Sequence, residues 1–348
     1  MFMPRIITYK EAINEALIEE MERDENIFVY GLDVDDHKRI FGTTNNLVEK
    51  FGKKRCFSTP LSEDAMTGLA LGAAISGLRP IHVHIRVDFL LLAMNQLVNM
   101  ISNFRYVTGG KVKVPIVIRA IIGRGWGQGP QHSKSLFSYF THIPGLKVVA
   151  PTTPRDAKGL LISSIRDDNP VIFFEHRWLY DISGDVPKDT VVPLGEPNIL
   201  KEGKDITIVA VSWMVIETLK AAEILAKNGI DAEVIDVRTL SPLKYEMIHE
   251  SIVKTRNCHV ADYDWVPSGF SAEVASRIQM EDFDVLDSPV TRTGFAFTPC
   301  PTTRPLENEF YSGAKDIIRE VERHFNNKPI DLSEEKFYSY ENKFKGPF

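Results

Sequence analysis

Short apolar segments alternate with longer amphipathic segments through the first half of the chain. Apolar runs bounded by turn residues predict strands, whereas apolar residues at helical spacing predict helices. The predicted strands are 27–34, 56–58, 80–85, 114–122, 146–150 and 171–174. The predicted helices are 8–23, 62–76, 88–104 and one that begins at residue 153. Strands and helices that alternate in this way indicate βαβ units around a mostly parallel sheet with helices on both faces.

Two helix starts carry clear capping signals. Thr8 is followed three residues later by Glu11, which is the pattern of a capping box. Thr153 precedes Pro154, and proline is favoured at the first position of a helix. These signals fix where the helices begin better than periodicity does.

A second, smaller α/β unit follows a change of composition between residues 180 and 205. Its predicted strands are 206–211, 230–237, 259–261 and 289–293, and its predicted helices are 214–227, 271–279, 314–325 and one opened by Ser241 and Pro242. The sequence therefore predicts domains at 4–183 and 205–326, a linker at 184–204 and a polar tail at 327–348.

Composition narrows the class of protein. The chain has 348 residues and a net charge of −6, and it lacks the basic face that nucleic-acid binding requires. Its three cysteines are far apart and form no C-x-x-C pair, which favours a reducing, cytoplasmic setting. No apolar run is long enough to span a bilayer, and no membrane partner is expected.

The stretch from residue 58 to residue 79 contains a turn and then a helix of small side chains. Ser62 is expected to act as the N-cap through its hydroxyl group. Glu63 follows in the first turn, where a carboxylate also complements the helix dipole. Because small residues let other backbones approach closely, this acid is a candidate site residue as well as a candidate dipole partner.

A glycine-rich loop precedes a histidine. Glycine occupies every second position from 123 to 129, with Trp126 among them and His132 soon after. Such a loop is either a flexible surface segment or a pocket wall that needs unusual dihedral angles. His132 is either an acid, base or oxyanion donor, or a helix-entry histidine bonded to the backbone.

Other patterns are weaker. His82 and His84 share one face of a predicted strand, and without a third ligand they are interpreted as structural. Residues 164–170 end a helix with polar groups, where either a monovalent cation or a solvated turn is expected. The sequence contains no phosphate-binding loop, no G-x-S-x-G, no H-E-x-x-H and no G-D-G that could begin a thiamine diphosphate–magnesium motif.

Several motifs, taken in order and at their spacing, resemble one family. They are 59–63 (TPLSE), 77–80 (GLRP), 129–133 (GPQHS), 143–149 (IPGLKVV), 156–160 (DAKGL), 166–170 (RDDNP) and 235–243 (IDVRTLSPL). Together they resemble the beta subunit of the two-chain 2-oxo acid dehydrogenases of the pyruvate and branched-chain type. The resemblance extends to about residue 325.

The resemblance implies a transketolase-like fold: a pyrimidine-binding domain followed by a smaller α/β C-terminal domain. It also implies an alpha2-beta2 heterotetramer, in which the alpha subunit holds the diphosphate and Mg²⁺ of thiamine diphosphate. The implied reaction is oxidative decarboxylation of a 2-oxo acid with acyl transfer to lipoamide, on a lipoyl acyltransferase core. The absence of G-D-G from this sequence agrees with an alpha subunit that holds the diphosphate and Mg²⁺.

The resemblance assigns roles to single residues. It makes Glu63 the carboxyl that hydrogen-bonds a pyrimidine ring nitrogen and favours the imino form of the ring. Phe89 would pack on the pyrimidine, Ile85 would be its apolar neighbour, and His132 would assist acyl transfer or bind the substrate carboxylate. A structural potassium ion would be held by Ile116, Ser164, Asp167 and Asn169.

Three segments depart from the family pattern. Leu32 stands where an acidic residue is usual, 261–264 (ADYD) replaces a pair of glutamates, and 299–307 is unusual. These departures keep a second reading open: a two-component, transketolase-like ketol or acyl transferase with an aldehyde or sugar acceptor. A third reading is a catalytically silent assembly subunit, against which the presence of Glu63, Phe89 and His132 argues.

Overall fold

The computed structural model describes residues 4–124, 127–325 and 329–338. The chain forms two compact units, one of residues up to 122 together with 139–194, and one of 123–138 together with the residues from 195 onward. The division after Leu194 falls inside the predicted linker. The glycine-rich loop, which the sequence assigns to the first domain, groups with the second unit.

The first unit is built on a parallel sheet. Its strands are β1 (Ile6–Thr8), β2 (Ile27–Gly31), β3 (Cys56–Ser58), β4 (Arg79–His84), β5 (Val117–Ile122), β6 (Lys147–Val149), β7 (Val171–His176) and β8 (Ser183–Asp185). Six of them lie in the order β6-β7-β5-β4-β2-β3, and every pair is parallel. β2, β5 and β7 are buried along their whole length, as expected for strands covered on both faces. β1 and β8 form a separate antiparallel ribbon.

The helices in the first part of the chain begin largely where the caps predict. They are α1 (Tyr9–Arg23), α2 (Leu47–Phe51), α3 (Glu63–Ile75), α4 (Val87–Leu90), α5 (Ser102–Val107), α6 (Phe137–Thr141) and α7 (Pro154–Arg166). The capping box of Thr8 and Glu11 is present in full. Thr153 accepts a hydrogen bond from the Asp156 amide, with Pro154 in the first turn. Both capping predictions are confirmed.

The helix predicted at 88–104 is not continuous. It divides into α4, a 3-10 turn (Leu91–Ala93), a π-helical segment (Gln96–Ile101) and α5. The prediction of one regular helix is wrong because the apolar spacing shows which side chains are buried, not how many residues each turn contains. Leu97 and Ile101 are fully buried, as that spacing indicates.

A buried ion pair joins two central strands of the first unit. Arg119 on β5 and Glu175 on β7 are both 0% exposed, and Arg119 Nη2 lies 2.9 Å from Glu175 Oε2. Arg119 Nη2 also donates to Thr43 Oγ1 at 2.9 Å, and the Tyr180 hydroxyl donates to Glu175 Oε2 at 2.9 Å. Since buried charges are tolerated only when they are paired and hydrogen-bonded, these partners explain how the pair persists.

The second unit has its own sheet. Its strands are β9 (Asn198–Lys201), β10 (Ile206–Ala210), β11 (Ala232–Asp236), β12 (Thr239–Ser241), β13 (Cys258–Trp265) and β14 (Thr291–Phe295), and its helices are α8 (Trp213–Lys227), α9 (Glu246–Thr255), α10 (Phe270–Glu281), α11 (Arg304–Phe310) and α12 (Ala314–Phe325). Five strands lie in the order β14-β13-β10-β11-β9, with β9 antiparallel to β11. The helix expected to open at Ser241 begins instead at Glu246. β9 and α11 were not predicted.

The described part of the tail packs against the helices of the second unit. The Ile330 amide donates to Glu322 Oε1 at 2.6 Å, and Arg319 donates back to the Ile330 carbonyl at 3.1 Å. Glu335 accepts from Lys220 and Lys227, each at 3.1 Å. Among the described residues, no helix is both long and apolar enough to cross a membrane.

Replacing Glu175 with glutamine leaves the Arg119 guanidinium buried without a counter-ion. We expect the free energy of unfolding to fall by about 3 to 5 kcal/mol, because breaking a buried pair from one side exposes the full cost of the other charge. Urea unfolding followed by tryptophan fluorescence measures the loss. Glu281→Gln is the control, since Glu281 pairs with Arg277 at the surface and little change is expected. An unchanged urea midpoint for Glu175→Gln would contradict this role.

Candidate functional site

Glu63 is the first residue of α3 and lies at the carboxyl edge of the parallel sheet. The chain leaves β3 at Ser58 and turns through residues 59–62 before α3 begins. Ser62 occupies the N-cap position, but its hydroxyl makes no capping hydrogen bond, so that detail of the sequence prediction is wrong. The backbone of Ser62, with φ of −155° and ψ of 62°, does not aim the side chain at the free amides.

A pocket opens beside Glu63 within the first unit. It holds about 310 Å³ of empty space, part of it open to solvent. Its walls come from the turn before α3, the end of β4, the residue after β2 and helix α4. The lining residues are Leu32, Thr59, Pro60, Leu61, Ser62, Glu63, Met66, His82, Val83, His84, Ile85 and Phe89. Ligands of parallel α/β sheets bind at this edge.

The carboxylate of Glu63 is available to a ligand. It is half-buried, and within the described ranges no hydrogen bond or ion pair engages it. The neighbouring carboxylate differs, since Asp64 accepts a hydrogen bond from Gln96 Nε2 at 3.1 Å. Among the described residues, the Glu63 carboxylate therefore has no internal partner and can bond to a ligand.

The structure brings three of the predicted cofactor-binding residues into this one pocket. Ile85 directly follows β4, and Phe89 belongs to the short helix α4. The Phe89 amide donates to the Arg86 carbonyl at 3.1 Å, which closes the turn that presents the ring. An apolar side chain, an aromatic ring and a carboxylate that line one pocket form a suitable surface for a flat heterocycle with a ring nitrogen.

Two histidines add an uncharged wall. His82 stacks on Tyr30 with ring centroids 4.3 Å apart, and His84 meets His82 edge-on at 4.1 Å. Burial lowers the pKa of His84 to about 3 and also holds the pKa of His82 well below its usual value, with the neighbouring His84 as a second cause. Both rings are therefore neutral near pH 7. Sequence reasoning treated them as structural; their position at the carboxyl end of a strand was the signal for a pocket role.

Leu32 reaches the pocket from the end of β2. The position at which the resemblance implies an acid therefore places an apolar side chain in the pocket wall. The preceding residue, Gly31, has φ of +152°, and a Cβ built there would lie 2.2 Å from the Val83 carbonyl oxygen. Glycine at 31 therefore permits β2 and β4 to close together beside the pocket.

The residues predicted to hold potassium lie near one another, but their oxygens have other partners. Asp167 O accepts from Arg79 at 2.8 Å, Asn169 Oδ1 accepts from Arg105 at 2.7 Å, and Lys147 pairs with the Asp167 carboxylate. Ser164 Oγ donates to Leu160 O at 2.7 Å, and Ile116 O accepts from the Val171 amide at 2.9 Å. Two guanidinium groups and an ammonium group thus bond to oxygens of Asp167 and Asn169, and the potassium site stays a prediction.

His132 lies in the second unit, in the loop 123–138, and is half-exposed. Ser133 Oγ donates to Gly129 O at 2.7 Å, and the Tyr311 hydroxyl donates to Ser133 O at 2.9 Å, which fixes the backbone beside the histidine. The loop glycines within the described residues all have positive φ: Gly123 at 89°, Gly127 at 56° and Gly129 at 62°. Gly125 and Trp126 lie outside the described residues.

Two buried aspartates lie on β13, and one of them, Asp264, bonds to the loop. Asp264 Oδ2 accepts from the Phe137 amide at 2.8 Å, and Asp262 Oδ2 accepts from the Ser271 amide at 2.8 Å. Burial raises the pKa of both carboxyls, and Asp262 raises that of Asp264 further. Both aspartates belong to residues 261–264, the segment whose sequence differs from the family pattern.

Two family models match the chain. The model described as "Transketolase, pyrimidine binding domain" matches residues 5–182, and the model described as "Transketolase, C-terminal domain" matches residues 195–317. The chain therefore belongs to the transketolase family, which confirms the fold expected from the ordered motifs.

Its relatives define the branch of that family. The chain is 41% identical to the pyruvate dehydrogenase E1 component subunit beta of Rickettsia conorii, covering 91% of this chain and 98% of the relative. It is also 41% identical to the beta subunit of an acetoin:2,6-dichlorophenolindophenol oxidoreductase of Cupriavidus necator, covering 90% of this chain and 96% of the relative. The chain belongs to this family of beta subunits, and the resemblance drawn from its motifs is confirmed.

A solved structure agrees on the fold. The inactive beta4 tetramer of a split-gene transketolase matches with a TM-score of 0.76 over 92% of this chain and 98% of that chain. Its sequence identity is 24%, so this likeness supports the architecture alone.

Gly31→Ala tests the close approach that borders the pocket. The added Cβ would meet the Val83 carbonyl oxygen at 2.2 Å, so β2 and β4 must separate, and we expect a melting temperature lower by several degrees. Gly72→Ala is the matched control, because Gly72 lies in α3 with no atom within 4 Å of the built Cβ. That variant should melt at or above the parent temperature. Equal melting of the two variants would refute the constraint.

Proposed function

We propose that this chain is the beta-type subunit of a thiamine diphosphate-dependent enzyme that cleaves a small 2-oxo compound and passes the acyl group to lipoamide. The observation that carries the proposal is the pocket in which Glu63, Ile85 and Phe89 meet. The names of the relatives, which refer to pyruvate and to acetoin, supply the two substrates to test first.

The role of Glu63 follows from its chemistry. A carboxyl group within reach of a pyrimidine nitrogen can share a proton with it and so select the ring's tautomer. The cofactor, when bound, supplies an electron sink that lets a bond to a carbonyl carbon break. Phe89 and Ile85 would hold the ring flat, and the neutral His82 and His84 add no charge that would compete for the Glu63 proton.

His132 would act on the substrate's carboxylate or on the acyl group in transfer. Its backbone is fixed by Ser133 and Tyr311, which favours a defined position for the imidazole. The proposal assigns the diphosphate and Mg²⁺ to an alpha-type subunit, because this sequence lacks G-D-G.

We also propose an assembly and a cellular location for this chain. An alpha2-beta2 heterotetramer and docking to a lipoyl acyltransferase core are what the family resemblance implies, and the names of the relatives, which call them beta subunits, support a partner subunit. Three buried free cysteines suit a reducing, cytoplasmic compartment. A structural potassium ion at Ile116, Ser164, Asp167 and Asn169 stays a prediction, and the Arg79, Arg105 and Lys147 side chains, which bond to oxygens of Asp167 and Asn169, would have to share those oxygens with the ion.

A two-component transferase that joins the acyl or ketol unit to an aldehyde or sugar is the second candidate. The observation that favours it is Leu32 in the pocket wall, where the dehydrogenase family usually has an acid. Release of carbon dioxide from pyruvate with lipoamide acylation would exclude this candidate. Formation of a new carbon–carbon bond without lipoamide would exclude the dehydrogenase.

Glu63→Gln should abolish turnover by the chain assembled with its alpha-type subunit, while assembly measured by size-exclusion chromatography persists. The amide keeps the shape of the side chain but cannot share a proton with a ring nitrogen. We expect a loss of at least about 100-fold, the lower range for a lost acid–base group.

Asp64→Asn is the matched control, since this adjacent carboxylate bonds Gln96 instead of lining the pocket, and it should leave turnover unchanged. Normal activity of Glu63→Gln would sink the assignment. Calorimetry with thiamine diphosphate, on this chain alone and on the mixture, tests the shared site independently. Tight binding by the chain alone would rule out the division between subunits.

A further inference from the structure

The second unit contains a pocket that the proposed function does not use. It holds about 730 Å³ of empty space, part of it open to solvent, between α8, the start of α12 and the described end of the tail. The lining residues are Arg124, Trp213, Glu217, Tyr263, Asn308, Tyr311, Ser312, Gly313, Ala314, Lys315, Asp316, Phe337 and Tyr338.

Glu217 is the acidic group of this pocket. Its side chain is almost fully buried, at 4% exposure. One carboxylate oxygen accepts from Trp213 Nε1 at 2.8 Å, and the other accepts from the Ala314 amide at 3.0 Å. Two neutral donors hold the carboxylate in place, and each oxygen keeps further acceptor capacity. Burial raises the pKa of Glu217 to about 7.

Aromatic rings surround the carboxylate. Trp213 meets Tyr338 edge-on with ring centroids 5.5 Å apart, and Tyr263 stacks on Tyr311 at 5.6 Å. Phe337 adds another ring at the rim, from the described tail. Faces of aromatic rings carry negative electrostatic potential and attract cations.

The basic residue of the pocket is largely neutralised. Arg124 Nη2 donates to Asn308 Oδ1 at 2.7 Å and lies 3.4 Å from the Glu307 carboxylate. The guanidinium also lies over the Tyr311 ring, 4.8 Å from its centroid. Glu307 is fully buried, so one guanidinium faces two buried carboxyl groups. At the rim, the exposed Lys315 and Asp316 carry opposite charges.

We propose that this pocket binds a small organic cation of the ammonium class, with the charged nitrogen against the Glu217 carboxylate and its alkyl groups against Trp213, Tyr263 and Tyr338. The carboxylate supplies the counter-charge, and the rings supply cation–π attraction and apolar contact. The tail residues Phe337 and Tyr338 form the outer wall. The proposal does not depend on the proposed function.

Calorimetry on the full chain with choline as the probe tests the site. The neutral isostere 3,3-dimethylbutan-1-ol is the matched ligand control, because it has the same shape without the charge. We expect choline to bind and the isostere to bind at least about tenfold more weakly. In two buffers of different ionisation enthalpy at pH 7, the heat should differ, since a cation displaces the proton from the partly protonated Glu217.

Two variants and one control variant complete the test. Glu217→Gln should weaken choline binding at least about tenfold, the loss expected for a charged partner. Glu246→Gln, at an exposed carboxylate in the first turn of α9 and outside the pocket lining, should not change it. Tyr338→Ala removes one rim ring without touching the core and should weaken binding by a smaller factor. Absence of choline binding, equal binding of the isostere, or unchanged affinity in Glu217→Gln would each overturn the proposal.

Discussion

The buried pair of Arg119 and Glu175 is the constraint on which the first unit depends. Two charges at 0% exposure remain in the sheet because each neutralises the other and has a further hydrogen bond: Arg119 donates to Thr43, and Glu175 accepts from Tyr180. Thr43 belongs to the loop that follows β2, so the pair fixes that loop against β5 and β7. Leu32 begins the same loop, and the pair therefore helps to hold one wall of the pocket in position.

Local patterns predict the class of fold, because apolar runs mark the buried strands and the capping box marks the start of α1. The assignment of Glu63, Ile85 and Phe89 to one site comes from the family resemblance, not from local patterns. The break at residues 91–101 was not accessible, because turn geometry depends on tertiary packing that periodicity does not contain. The same reason applies to Ser62. It occupies the predicted N-cap position, but its hydroxyl group does not make the predicted capping hydrogen bond.

The sequence does not identify His82, His84 and Asp264 as residues of the candidate sites, and the physical reason is the same for all three. His82 and His84 gave no signal of a ligand set, yet a strand that ends at the carboxyl edge of a parallel sheet delivers alternate side chains to the pocket. Asp264 gave no signal either, because its partner, the Phe137 amide, is far away in the sequence. Long-range polar contacts of this kind are set by the fold, so one chain without a structure cannot reveal them.

The chain's carboxyl groups show that environment decides the role of a side chain. Glu63 lines an open pocket and has no internal partner among the described residues, so a ligand can take its proton or its hydrogen bond. Glu175 is committed to Arg119 and can only stabilise the fold. Glu217 is intermediate between these two cases. Neutral donors hold its carboxylate in place, and no cation among the described residues fully neutralises its charge. A carboxylate that is held in position, but whose negative charge is only partly neutralised, favours binding of an external cation. This property distinguishes Glu217 from the structural carboxylates around it.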